Sequence, residues 1–342
     1  MPKLSIVIVN YATKGLIEKC INNLLEVYSD SEVILVDNDS PDGSGDYAEE
    51  LYKNHPRVKV IRSENLGQPH ASNLALQQAK GKYIMYNGTD AFPHKGTIEG
   101  MLEFLDKNEI VGVVTPQLYT RDGSLDLDAH RGFPTPWTAI TYISGLWKLF
   151  PKSRIFGQYH ALYEDLNTRH EIDACITHCM ITRKSIHDEL GPWDEDYFIF
   201  GEDIDFFYKV KQKGYKIYYL GDLRALHYKG ASVGRDTSKD IESTMNKDFG
   251  YATFRGEKMT SEPKKDAKTQ AGGTSTPKKK LSNTARWMRL KVTKEKTRAM
   301  RLFYKKHYDK KYPKILNMLV LFAVDVSEFV KVSKTLIKSY FE

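Results

Sequence analysis

The chain has 342 residues, of which 41% are hydrophobic and 12% aromatic, a composition typical of a globular protein. This length allows one large domain with an appendage, or two modest domains. Three cysteines, Cys20, Cys175 and Cys179, are too few for a disulfide framework, which excludes a small disulfide-stabilised fold and favours a reducing compartment. The N-terminal residues have no apolar core of signal-peptide length, so the sequence predicts a cytoplasmic protein.

The net charge of +7 is unevenly distributed. Residues 256–314 hold 19 Lys and Arg against 5 Asp and Glu, a net of +14, which leaves −7 for the rest of the chain. Such a basic block can meet nucleic acid, anionic lipid or only solvent. Its few aromatic residues lie at helical spacing with Leu and Met, which favours an apolar helix face over a base-stacking surface, so no nucleic-acid partner is expected.

Short apolar runs alternate with amphipathic segments in the first third of the chain. Strands are predicted at Leu4–Val9, Glu32–Val36, Val58–Ile61, Lys82–Tyr86 and Val111–Val114, and helices over 16–25, Ser72–Lys80 and Thr97–Leu105. Alternation of apolar strands with helices predicts an α/β fold with a mostly parallel sheet covered on both faces.

Polar residues follow four of these strands, at Asn10-Tyr11, Asp37–Ser40, Glu64–Gly67 and Asn87–Asp90. Each group is also a plausible turn, because Asn, Asp, Ser and Gly close turns through local hydrogen bonds. Ligands of open α/β sheets bind beyond the carboxyl ends of the strands. The four groups are therefore the first candidates for a binding site.

The C-terminal region changes in composition. Residues 251–283 are rich in Lys, Thr, Ser, Gly and Pro, which is typical of a linker. Beyond them, Arg286–Tyr308 has a basic helical pattern, and Ile315–Val324 is an apolar run too short to span a bilayer. The sequence predicts a main domain over 1–250, a linker over 251–283 and an amphipathic helical extension over 284–342, which lies on a membrane or packs on another surface.

An acidic cluster, Gly201–Asp205, follows an aromatic stretch and precedes His227. Three carboxylates together repel one another unless a cation, a proton or a hydroxyl group offsets their charge. The plain alternative is a helix start, where acidic residues favour the helix dipole. The cluster is therefore a candidate catalytic site.

Two other patterns are weak. Gly43–Ala48 has the glycine spacing of a dinucleotide-binding loop, but several nearby aspartates would repel a pyrophosphate. Cys175 and Cys179 flank His178, yet in a strand the two cysteines would share one face and the histidine would point to the other. A buried structural strand is the preferred interpretation of Cys175–Cys179 over a metal site.

Several of these segments in this order resemble the family-2 glycosyltransferases of the GT-A fold, over about residues 3–235. The segments are Val7–Tyr11, Val36–Ser40, Asn65–Gly67 with Asn73, and Glu202-Asp203 with His227. Arg131–Trp137 is similar to bacterial members that extend surface polysaccharides and are described as rhamnosyltransferase-like. The resemblance implies a GT-A (Rossmann-like) domain, a mixed and mostly parallel sheet flanked by helices, followed here by the helical extension.

The resemblance also implies roles for single residues. The implied nucleotide-sugar-binding residues are Val9, Asn10, Tyr11, Asp37, Asn38, Asn65, Gly67 and Asn73. Asp37 would accept the imide N–H of uracil or thymine. Asp90 matches the last acid of the family's Asp-x-Asp, which holds Mg²⁺ or Mn²⁺, while Gly88 stands where the first acid is expected and Asn87 is a candidate substitute. His227 matches a histidine that helps to bind the metal or diphosphate, although it could be purely structural.

Catalysis is implied for the acidic pair. Asp203 matches the base that takes the acceptor's proton in an inverting transfer, and Glu202 would orient the acceptor or the base. The expected partners are a dTDP- or UDP-linked sugar, a glycan or polyprenyl-linked glycan acceptor, and an anionic membrane surface, with homo-oligomers possible. The expected location is the inner face of the cell membrane, in surface polysaccharide synthesis. The alternative is a non-catalytic sugar-nucleotide-binding or scaffold protein of the same fold.

Overall fold

A computed structural model describes residues 1–120, 123–229 and 283–341. The chain divides into two compact units, Met1–Thr253 and Phe254–Glu342. Residues 251–282 of the predicted linker lie outside the described residues, so the proposed domain boundaries stay a prediction.

The first unit alternates strands and helices along the chain. Its strands are β1 (Leu4–Asn10), β2 (Ser31–Asn38), β3 (Val58–Ser63), β4 (Tyr83–Asn87), β5 (Ala91–Pro93), β6 (Val111–Tyr119), β7 (Arg169–Ile172), β8 (Cys179–Arg183) and β9 (Lys216–His227). Its helices are α1 (Lys14–Val27), α2 (Ser44–Tyr52), α3 (Gln68–Gln78), α4 (Thr97–Lys107), α5 (Pro136–Ile143), α6 (Leu146–Leu149), α7 (Lys184–Leu190) and α8 (Glu202–Gln212), with a short 3₁₀ turn at Leu127–Ala129.

These strands form a single sheet in the order β3-β2-β1-β4-β8-β6-β9-β5, with β7 paired to β9. The strands β3, β2, β1 and β4 are parallel, and β6 and β9 are parallel to each other. Strand β8 runs antiparallel between β4 and β6. The predicted mixed α/β fold with a mostly parallel sheet is confirmed. Continuous apolar strands such as β1 and β2 are buried on both faces, as a sheet covered by helices requires.

Two local features differ from the sequence interpretation. The Gly43–Ala48 segment begins α2, because Gly43 adopts a left-handed conformation at φ 71° that lets the chain turn from the loop into the helix. The predicted strand at Cys175–Cys179 is wrong, since β8 begins only at Cys179 and the residues before it form a turn. That turn places His178 at the edge of the sheet. The three cysteines are free and buried.

In the second unit the structure describes residues 283–341, which form the helices α9 (Asn283–Phe303) and α10 (Lys314–Phe341), joined through a π-helical turn at Tyr304–Tyr308. The two helices pack together through buried residues, among them Phe303, Tyr304, Tyr308, Val320 and Val324. The helix α10 is much longer than the apolar run that predicted it. Within the described ranges, no helix combines the length and hydropathy needed to cross a bilayer.

Candidate active site

The ends of β1 and β2 hold a buried polar cluster. Asn10 donates to Asp37 Oδ1 at 2.6 Å and to the hydroxyl of Ser40 at 2.9 Å. Asp37 is fully buried, and its second oxygen accepts the backbone N–H of Ser40 and faces Arg62 Nε at 3.4 Å. A Cβ at Gly45 would lie 2.4 Å from the Asp37 carboxylate, so only glycine leaves room for this ion pair. Asp37 is therefore held as an oriented carboxylate at the carboxyl edge of the sheet.

A second group of predicted nucleotide-binding residues supports the loop that precedes α8. Asn38 donates to Asn65 Oδ1 at 3.1 Å. Gly67 has a φ of 111°, and a Cβ at this position would lie only 2.6 Å from the Phe198 carbonyl oxygen. Asn73 makes three hydrogen bonds, two with the Trp193 backbone and one with Glu195. These contacts give Asn73 a structural role, and its predicted contact with a nucleotide stays a prediction. Val9 and Tyr11 are half-buried beside this edge.

Three side chains converge at the sheet edge where β4 and β9 end and β8 begins. Asp90, His178 and His227 each offer a ligand atom, and these atoms all lie within 4.8 Å of one another. Asp90 Oδ1 lies 3.6 Å from His227 Nε2 and 4.0 Å from His178 Nε2. Both oxygens of Asp90 and Nε2 of His227 are buried without a hydrogen-bond partner. One carboxylate and two imidazoles are a donor set for a divalent transition metal, and we call these three residues the metal cluster.

The orientation of His227 is fixed from its other side. Its Nδ1 bonds to Asp126 Oδ2 at 2.6 Å, and Lys229 Nζ binds both Asp126 and Asp128 at 2.6 Å. Burial lowers the pKa of His227, but its hydrogen bond to Asp126 and the nearby charge of Asp90 outweigh burial and raise the pKa to about 9. A carboxylate that accepts Nδ1–H leaves Nε2 to face the cluster, which is how metal-ligating histidines are commonly oriented.

The Asn87 amide nitrogen is engaged by the backbone, and the role of Asn87 as a substitute ligand stays a prediction. Its amide donates to the backbone oxygens of Gly88 at 2.8 Å and Ala91 at 2.9 Å, so it shapes the turn between β4 and β5. His178 occupies the space beside Gly88 instead. His178 was not predicted as a site residue because a strand was expected there, and Asp126 was given no role.

The acidic pair lies at the first turn of α8, where acidic residues also favour the helix dipole. Asp203 Oδ2 accepts from Arg131 at 2.6 Å, and Arg131 also binds the Cys175 carbonyl oxygen. Burial and the neighbouring Asp203 raise the pKa of Glu202 to about 8. Asp205 pairs with Lys209 at 2.5 Å, which is a structural role.

The base candidate and the metal cluster lie within electrostatic range of each other. Burial and the nearby His227 lower the pKa of His178, while the charges of Asp90, Asp126 and Asp203 act in the opposite direction. Arg131 belongs to the site through its ion pair with Asp203, whereas Trp137 is 44% exposed and donates to the Ile155 carbonyl oxygen.

Residues 5–191 match the model of the family "Glycosyl transferase family 2". The chain belongs to this family. The match includes Asp37, Asp90 and His178, whereas Glu202, Asp203 and His227 lie beyond it.

Known relatives are glycosyltransferases. The chain is 33% identical to an uncharacterized glycosyltransferase, EpsJ, of Bacillus subtilis over 111 residues. This aligned segment covers 32% of each chain. The chain therefore spans about a third of EpsJ. It is 23% identical over 256 residues to an N-acetylglucosaminyl-diphospho-decaprenol L-rhamnosyltransferase of Mycobacterium tuberculosis, covering 70% of this chain and 80% of that one.

A solved structure also shares the fold. A crystal structure of GalNAc-T7 with UDP, GalNAc and Mn²⁺ matches with a TM-score of 0.51 and 17% identity, over 72% of this chain and 48% of that chain. The predicted GT-A fold is thereby confirmed, and the protein is a family-2 glycosyltransferase with rhamnosyltransferase-like relatives.

Proposed function

We propose that this protein is an inverting, metal-dependent glycosyltransferase that moves a sugar from a nucleoside diphosphate to a glycan or lipid-linked glycan. The observation that carries the proposal is the metal cluster, which His178 enters from the same segment whose Cys175 carbonyl oxygen binds Arg131, the ion-pair partner of Asp203. The oriented Asp37 carboxylate lies at the same edge of the sheet as the metal cluster, where strand ends meet. A cation site, a pyrimidine-reading carboxylate and a base are the groups that this transfer needs.

The proposed donor is dTDP-rhamnose or a UDP-hexose. Asp37, held in place by Asn10 and the Ser40 backbone, would accept the imide N–H of uracil or thymine, a donor that cytosine lacks. The named activity of the mycobacterial relative and the UDP and Mn²⁺ in the GalNAc-T7 structure support this choice. Surface polysaccharide synthesis is the proposed setting.

The proposed base is Asp203. It takes the proton of the acceptor hydroxyl as that oxygen attacks the anomeric carbon, and the nucleoside diphosphate leaves from the opposite face with inversion. Arg131 orients the carboxylate until the acceptor arrives. Glu202, buried beside it, orients the acceptor as a protonated hydrogen-bond donor. A divalent cation held by the metal cluster would stabilise the charge on the leaving diphosphate.

A thermal-shift panel tests the site directly. Nucleoside diphosphates and their sugars are added with and without Mn²⁺, since a ligand at 100 times its Kd adds about 2.7 kcal/mol of stability. We expect stabilisation by dTDP or UDP compounds that depends on the metal. No response to any nucleotide would contradict the proposal.

The alternative is a non-catalytic sugar-nucleotide-binding or scaffold protein. The observation that favours it is the ion pair between Arg131 and Asp203, which engages the base candidate. Metal-dependent nucleotide binding without transfer or hydrolysis, or turnover that survives Asp203→Asn, would support the alternative over the proposal.

We also propose that the second unit attaches the enzyme to an anionic membrane surface. Along α10, Ile315, Met318, Leu319, Phe322 and Phe329 are exposed, the last two by 67% and 74%. The repeat of these positions places them along one stripe of the helix.

The acidic residues of α10, Asp325 and Glu328, contact residues of α9. Arg301 Nε of α9 donates to Asp325 Oδ1 at 3.1 Å. The hydroxyl of Thr297, also in α9, donates to Glu328. Because α9 neutralises these carboxylates, the exposed stripe stays apolar, and the exposed Lys314 is available near its start. An apolar stripe with flanking lysines suits an interfacial helix on anionic lipid.

Liposome flotation with anionic vesicles tests this attachment. We expect the full chain to float and the variant F322E/F329E to remain with the soluble fraction. Leu149→Glu, at an exposed apolar position of the first unit, is the matched control and should float normally. Equal flotation of all three proteins would contradict the proposal, and a concentration-dependent dimer lost in F322E/F329E would assign the stripe to a second copy of the chain.

A further inference from the structure

The position of His178 is fixed by the register of the sheet. Strands β4 and β8 are antiparallel with Asn87 opposite Cys179, so the residue before β8 lies across from Gly88. The backbone N–H of Gly88 donates to the His178 carbonyl oxygen at 3.0 Å. The imidazole therefore lies beside the position where the family resemblance leads one to expect a first carboxylate.

A side chain at position 88 and the His178 imidazole exclude each other. A Cβ on Gly88 would lie 2.7 Å from His178 Cδ2 and 2.9 Å from Asp90 Oδ1, which is closer than real Cβ contacts allow. Glycine at 88 is thus the residue that leaves room for the histidine. Relative to the family's Asp-x-Asp, the absence of a carboxylate at position 88 and the presence of the His178 imidazole therefore depend on each other.

The buried ligand atoms of Asp90 and His227 in the metal cluster have no hydrogen-bond partners. Asp90 is only 1% exposed, yet neither of its oxygens has a hydrogen-bond partner, and His227 Nε2 also has none. The 3.6 Å and 4.0 Å gaps from Asp90 to the two imidazoles are too long for hydrogen bonds. A buried carboxylate without partners is costly, so the gap favours an ion that both imidazoles and Asp90 ligate.

We propose that His178 is a metal ligand that replaces the absent first carboxylate and makes the site prefer Mn²⁺ or a similar transition ion over Mg²⁺. Imidazole nitrogen suits first-row transition metals, whereas Mg²⁺ prefers oxygen ligands. The inference rests on the proposed function for its catalytic use, but the metal-binding site can be measured without any substrate.

The test uses the full-length protein after chelator treatment. Binding of Mn²⁺, Co²⁺ and Mg²⁺ is measured by calorimetry, and pulsed electron paramagnetic resonance counts the imidazole nitrogens coupled to Mn²⁺. For the wild type we expect two coupled imidazoles and binding of Mn²⁺ at least about tenfold tighter than Mg²⁺. The variant H178A should show one coupled imidazole and lose most of this preference.

The reciprocal variant H178A/G88D removes the imidazole beside position 88 and places a carboxylate at that position instead. We expect it to regain metal affinity with the preference moved toward Mg²⁺, whereas G88D alone should disturb the site because both side chains compete for one space. His55→Ala, at a half-buried histidine outside the cluster, is the control and should bind metals as the wild type does.

The outcomes separate this inference from the proposed function. If H178A binds Mn²⁺ with two coupled imidazoles and unchanged affinity while Asp90→Ala does not bind, His178 is not a ligand but the metal-dependent transferase stands. If the metal-free wild type responds to nucleotides and binds no divalent cation at millimolar concentration, both the ligand assignment and the metal dependence fail. Thermal unfolding of the metal-free variants checks their folding, and His178→Asn replaces H178A if that variant is unfolded.

Discussion

Replacing Glu202 with glutamine should make the protein more stable, and increasingly so as the pH rises. Glu202 is 6% exposed, and its Oε2 has no hydrogen-bond partner. Burial and the charge of Asp203 raise its pKa from 4.5 to about 8. The folded-state pKa of Glu202 lies above its unfolded value. The contribution of the protonated Glu202 to the free energy of unfolding is therefore complete below about pH 4.5 and is lost as the pH rises toward 8. Glutamine does not ionise in either state, so this loss disappears.

The size of the effect follows from the shift. Each pKa unit corresponds to about 1.4 kcal/mol, so the wild type should lose on the order of a few kcal/mol between pH 5 and pH 8 relative to Glu202→Gln. Urea unfolding followed by tryptophan fluorescence measures the free energy of unfolding at pH 5, 6.5 and 8. Glu26→Gln, at an exposed position of α1, is the control and should follow the wild type. Parallel pH profiles for wild type and Glu202→Gln would refute the reasoning.

Three further predictions concern the candidate site. Asp203→Asn should lower the transfer rate by about 10²- to 10⁴-fold while leaving nucleotide-induced thermal stabilisation unchanged, and undiminished turnover would contradict the base assignment. Asn73→Ala should lower the free energy of unfolding by about 2–3 kcal/mol, because its hydrogen bonds to the segment around Trp193 are lost; a stable variant with weak nucleotide binding would instead assign Asn73 to the ligand. Asp37→Asn should abolish most of the stabilisation by UDP or dTDP, whereas the exposed neighbour Asp39→Asn should not, and equal responses would remove the base-reading role.

The parallel half of the fold was predictable because its signals are local. Strands β1, β2 and β4 are mainly apolar and buried, and each ends in polar residues that the structure places at one edge. Helix α2 was missed because its glycine-rich start was interpreted only as a false nucleotide motif. The helix α10 extends well past Val324, since the acidic residues that interrupt its apolar pattern are neutralised by α9 rather than ending the helix.

The metal cluster was predictable only in part. Asp90 and His227 follow from the family resemblance, but His178 depends on strand direction, which one sequence does not reveal. The Asp126 contact joins residues 101 positions apart, and nothing local in the sequence marks it. Residues that meet only through sheet pairing leave no periodic signal, so they emerge from the structure alone.

The direction of β8 explains why the site is assembled from distant segments. The parallel strands β4 and β9 end at the same edge of the sheet, which brings Asp90 and His227 together. An antiparallel strand between β4 and β6 begins where its neighbours end, so the turn before β8 delivers His178 to that edge. Helix α8 leads back into β9 and so presents its first turn, with Asp203, toward the same place. If β8 ran parallel to β4, its first residues would lie at the opposite edge, and the space beside Gly88 would have no imidazole to fill it.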